Sequence, residues 1–181
     1  MVGGYLAGSG PRGAQRFTRS KLPVRALVLG HRKILQVPAP GPRYARVMAS
    51  IRKEFDLAAS PDSVWAVFKD VGAVHTRLAR GFVTDCRMDG KDRIVTFVNG
   101  LVAREVIVDV DDRARRLVYS ARSERLQHHN ASFTVGAHGD GSRVVWVADL
   151  LPDAMAQPIG AMMEQGVAAM RKTLDGHSAA A

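Results

Sequence analysis

Few side chains in this 181-residue chain are placed to do chemistry, and most lie in its second half. Arg104, Tyr119 and His129 are polar residues that strand alternation turns toward an interior. Apolar residues there recur at every second position, which gathers them on one face of a strand. Val102, Val106, Val108 and Val110 share a face with Arg104, leaving Glu105 and Asp109 on the other. Leu117 accompanies Tyr119, and Ala131, Phe133 and Val135 accompany His129. An inward arginine must offset its desolvation, either by an internal pair or by an anionic or carbonyl oxygen of a ligand. A tyrosine hydroxyl and an imidazole on the same surface could stabilise an enolate and move a proton.

Other chemistries find no support. His128 and His129 are adjacent on a strand, so they face opposite ways and cannot hold one ion together. His75 and His138 fall in other elements, and no metal site is expected. The chain has no Gly-rich phosphate loop, no nucleophile elbow and no local pair of inward carboxylates. No cofactor is expected. Cys86 is the one cysteine. It excludes an internal disulfide, fits a reducing, cytoplasmic setting and, among apolar neighbours, reads as an inert core thiol.

The elements that must position these residues follow a plain order. Ser50 to Leu57 alternates as a first strand. Ser60 suits a helix N-cap, Pro61 the first helical position, and Asp62 complements the dipole. The helix carries Val64, Trp65, Val67 and Phe68 and should end near Gly72, with a second short helix over roughly Ala73 to Leu78. Six strands come next: Phe82–Met88, Arg93–Val98, Leu101–Val110, Arg116–Ala121, His128–Val135 and Ser142–Leu151. Asp89-Gly90 and Asn99-Gly100 are hairpin turns by composition. Phe82, Cys86 and Met88 are expected to face inward, as are Val144, Trp146, Ala148 and Leu150. Last comes a long amphipathic helix from Pro152 to Leu174, whose apolar stripe is Met155, Ile159, Met162, Met163, Val167, Met170 and Leu174. One terminal helix set against a whole antiparallel sheet packs most economically across its concave face, which encloses a cavity. Methionine is flexible and polarizable and suits the wall of such a cavity.

The net charge of +9 would suggest nucleic acid until it is divided along the chain. Residues 1–47 hold nine basic side chains and no acidic ones, while the remainder holds 17 of each. The folded part therefore gives no electrostatic reason to expect nucleic acid. Residues 1–47 read as a basic, disordered extension, a reading that includes upstream sequence translated ahead of a true start at Met48; a targeting peptide and a basic arm for nucleic acid or anionic lipid are the alternatives. The domain is expected over residues 48–176, with a flexible tail over 177–181. No apolar run reaches the roughly 18 residues of a membrane span. Val145 and Val147, on the outer face, leave a homodimer open.

Three stretches carry a family resemblance: "SPDSVWAVFKD" from Ser60 to Asp70, "REVIVDVDDRARRLVYS" from Arg104 to Ser120, and "GSRVVWVADLLPD" from Gly141 to Asp153. In order and spacing the chain resembles the START-like superfamily, also called SRPBCC, and within it the polyketide cyclase/dehydrase-like branch. The resemblance implies an α+β helix-grip fold, with about seven antiparallel strands wrapped around the long C-terminal helix. It also implies a function by class: carriers, receptors and aromatic-ring cyclases all use this fold. The expected role is binding or transport of a small apolar ligand (lipid, isoprenoid or aromatic). Arg104, Tyr119, His129, Phe133, Trp146, Met155, Ile159, Met162 and Met163 are the candidate contacts. A cyclase or dehydratase enzyme is the alternative, and a partner-binding protein with a filled cavity is the third reading.

Overall fold

The computed structural model describes residues 48–178; the basic segment 1–47 and the last three residues of the expected tail lie outside them. Strand β1, Ala49–Leu57, opens the fold. Helix α1, Pro61–Phe68, begins as its residues dictate: Ser60 is in an extended conformation and its hydroxyl accepts from the Ser63 N–H at 3.3 Å. The buried face of α1 is Val64, Trp65 and Phe68. The Trp65 indole N–H reaches out to an Asp112 carboxylate oxygen at 2.7 Å. The expected second short helix is a π-type turn over Val74–Leu78.

Six strands follow: β2 (Val83–Asp89), β3 (Asp92–Phe97), β4 (Val102–Asp111), β5 (Arg116–Arg122), β6 (His128–His138) and β7 (Gly141–Leu151). With β1 they form one antiparallel sheet in the order β1-β7-β6-β5-β4-β3-β2. The two expected hairpin turns form, with Gly90 at φ 65° and Gly100 at φ 81°, conformations that side chains resist. A 3₁₀ turn over Asp153–Met155 leads into the long helix α2, Ala156–Ser178.

Helix α2 packs with Met163, Met170 and Leu174 buried. Gly166 permits the close approach: a Cβ there would stand 3.1 Å from a Trp146 ring carbon and 3.3 Å from Phe82. At the other side of Trp146 the ring stacks on Phe133, with centroids 4.6 Å apart, and Phe133 in turn meets Phe68 at 4.9 Å. Aromatic side chains thus link α1, the sheet and α2 in one core.

Strand β4 departs from the expected facing. Arg104 does not point inward; its guanidinium pairs with Asp89 at 2.5 Å and Asp92 at 2.6 Å, with two-fifths of the side chain exposed. Glu105 is the buried residue. The Asn99-Gly100 turn sets this register by placing Arg93 opposite Glu105 and Ile94 opposite Arg104. A bulge between Ile107 and Asp109 then breaks the alternation, and Val102, Val108 and Val110 are exposed. Met88, expected inside, is also exposed, beyond a register shift between Val83 and Asp85 in the same sheet.

Candidate functional site

Between α2 and the sheet lies a cavity of about 600 Å³, within the usual size range for small-molecule sites. Its walls are mostly apolar. Tyr119, His129, Phe133, Trp146, Met155, Ile159, Met162 and Met163 all line it, as alternation and the helical stripe led one to expect. Arg104 does not, for the reason of register given above. Exposed residues of the lining mark the opening: Asn99 to Leu101 in the β3–β4 turn with Val102 at the start of β4, Arg122 at the end of β5 with Arg125 beyond it, and Pro158 near the start of α2.

Sequence reasoning missed the cavity's charged pair. Arg93 and Glu105 both line it, and both are buried. The Arg93 Nε–H donates to Glu105 Oε2 at 2.7 Å, and Nη1 donates to the Val71 carbonyl at 3.2 Å. The Arg93 guanidinium carbon also lies 5.3 Å from the centre of the Tyr119 ring, a cation–π arrangement. Burial opposes the charge on Arg93. Glu105 and Tyr119 outweigh it and hold the guanidinium firmly protonated. The signal was present in the sequence: the two residues stand six positions either side of Asn99 with opposite charges. A hairpin centred on that turn makes them a cross-strand pair.

Two further polar groups complete the cluster. The Tyr119 hydroxyl accepts from the Trp146 indole N–H at 3.1 Å. Burial, with Glu105 nearby, pushes that phenol well above its ordinary range, so its proton is kept. His129 Nδ1 accepts from the Ala121 backbone N–H at 3.0 Å, which leaves the ring proton of the neutral form on Nε2. Burial depresses the His129 pKa and keeps the imidazole neutral at neutral pH. The cluster therefore presents a guanidinium, a carboxylate, a phenol and a neutral imidazole, with no net charge.

Nothing here resembles a nucleophile with its activating base. Cys86 is buried, contacts the Val71 carbonyl at 3.7 Å through sulfur, and burial raises its pKa. His128 is exposed while His129 lines the cavity, so the adjacent pair is split between faces. Among the described residues no helix is long and apolar enough to cross a membrane.

Comparison with known proteins agrees with the geometry. Residues 48–180 match the family model described as polyketide cyclase / dehydrase and lipid transport. No curated protein matches the chain. Among solved structures, XoxI from Bacillus cereus superposes with a TM-score of 0.62 at 16% identity, covering 70% of this chain and 95% of that one. A protein from Nitrosospira multiformis gives 0.62 at 13% identity, over 72% and 99% of the two chains. A norcoclaurine synthase point mutant from Thalictrum flavum, solved with a transition-state analogue, gives 0.56 at 21% identity, over 73% and 97%. At these identities the likeness establishes the fold.

Proposed function

Because the chain belongs to the polyketide cyclase/dehydrase and lipid transport family, we propose that it binds a small, largely apolar molecule in the cavity beneath α2. A lipid, an isoprenoid or an aromatic, polyketide-like compound would suit this cavity. The observation that carries this reading is a cavity of about 600 Å³ whose walls combine Phe133, Trp146, Ile159 and four methionines with one uncharged-overall polar cluster. An apolar ligand gains about 0.8 kcal/mol for each CH₂ it removes from water, and methionine walls adapt to its shape. The free Cys86 thiol supports a reducing, cytoplasmic setting.

Native mass spectrometry of protein purified from its host tests the reading. A co-released small molecule is expected, and it should be lost in Met162→Trp, which fills the cavity from a half-buried position on α2. An empty cavity, with no saturable binding of any apolar probe, would overturn it.

A second reading, a cyclase or dehydratase, is favoured by one observation: Arg93, Glu105, Tyr119 and His129 converge on the cavity. Such groups could polarise a carbonyl and relay a proton. Under that reading Tyr119→Phe or His129→Gln abolishes turnover while ligand binding survives. Under the first reading no turnover exists to be lost.

A further inference from the structure

The Arg93–Glu105 pair carries more hydrogen-bonding capacity than the described residues use. Arg93 spends Nε on Glu105 and Nη1 on Val71. Among the described residues none bonds its Nη2, and none bonds Oε1 of Glu105. Both side chains line the cavity, so a donor edge and an acceptor edge stand side by side in a mostly apolar wall. Their positions are fixed. The two residues are paired across β3 and β4, and the Arg93 guanidinium is held against the Tyr119 ring.

Resting on the binding reading above, the geometry points to the Arg93–Glu105 pair as a head-group subsite that selects an uncharged ligand carrying an acceptor beside a donor. A carboxamide has that pattern: its carbonyl accepts from Arg93 Nη2 and its N–H donates to Glu105 Oε1. The Tyr119 hydroxyl and the His129 Nε2–H are further donors on the same lining. A carboxylate fits poorly. Glu105 already neutralises Arg93, so a ligand anion would meet a second buried carboxylate, with no other buried lysine or arginine among the described lining residues to offset it. The remaining cations of the lining, Arg122 and Arg125, are exposed at the opening, where solvent screens them.

Competition against a neutral naphthylamine fluorophore tests this with three matched probes near neutral pH: naphthalene, naphthalene carboxamide and naphthalene carboxylate. On the native chain the carboxamide should bind tightest, at least about tenfold more tightly than the carboxylate, a difference of about 1.4 kcal/mol. In Glu105→Gln the order should reverse, because Arg93 then faces the cavity unneutralised. In Arg93→Met/Glu105→Leu the carboxamide should lose its advantage over naphthalene. If the fluorophore binds but the carboxylate matches or exceeds the carboxamide on the native chain, the selectivity is overturned while the binding reading stands. Carboxylate binding that is lost in Arg122→Ala/Arg125→Ala would overturn it in the same way and move the head group to the opening. If neither fluorophore nor any probe binds, the binding reading itself falls.

Discussion

Replacing Arg93 by methionine removes one partner of a buried ion pair and leaves Glu105 behind. The side chains of the pair are only 6% and 9% exposed, so solvent screens little of their interaction. Unit charges about 4 Å apart attract by about 4 kcal/mol at an effective dielectric of about 20, and breaking a buried pair from one side costs about 3–5 kcal/mol. Arg93→Met also leaves the Val71 carbonyl with only the weak Cys86 thiol as donor and strips Tyr119 of its cation. The expected loss is therefore in the upper part of that range, roughly a 10–20 °C fall in Tm. Urea denaturation followed by circular dichroism measures it, with linear extrapolation to water. The companion is Arg93→Met/Glu105→Leu, which removes the stranded charge and should return to within about 1 kcal/mol of the native chain or exceed it. A single variant losing less than about 1 kcal/mol would show the pair to be screened like a surface one. A double variant as unstable as the single would show that the stranded charge is not the cause.

Tyr119→Phe leaves the Trp146 indole N–H buried without its acceptor and should cost about 1–3 kcal/mol in the same assay. His129 sets a pH dependence. Its folded pKa lies below the ordinary histidine value because it is buried, so the unfolded chain binds the extra proton first. Its contribution to stability is complete above that ordinary value and is lost as the pH falls through the folded pKa. An NMR titration should find the His129 ring changing below the usual histidine range, and His129→Gln should flatten the stability profile there. Arg104→Ala should leave ligand affinity unchanged within about twofold, since Arg104 and its partners Asp89 and Asp92 all lie outside the cavity lining. A larger loss of affinity would restore Arg104 to the site.

Most of the fold was legible because its signals are local. Ser60-Pro61-Asp62 starts a helix, Asp89-Gly90 and Asn99-Gly100 close hairpins, and the Met155–Leu174 stripe has helical spacing. Alternation on β6 and β7 was also correct, because those strands pair along their length without a shift. On β4 it failed. Four valines at alternate positions outweighed one glutamate in a reading by hydrophobicity, yet the facing there is set by pairing across the Asn99-Gly100 turn and by a bulge that alternation cannot register. The cost of burying Glu105 is met by Arg93 on the neighbouring strand, and such compensation appears only when the strands are paired. That single register shift exchanged Arg104 for Glu105 at the site and brought Arg93 with it.

The central claim is that the cavity beneath α2 holds a ligand, and Met162→Trp tests it most directly. Titration with the neutral naphthylamine fluorophore should give saturable binding at one site on the native chain. Filling the cavity should weaken that binding by about tenfold or more, equivalent to about 1.4 kcal/mol, while the circular dichroism spectrum stays the same. Binding that is absent from the native chain, or that Met162→Trp leaves untouched, would contradict the account.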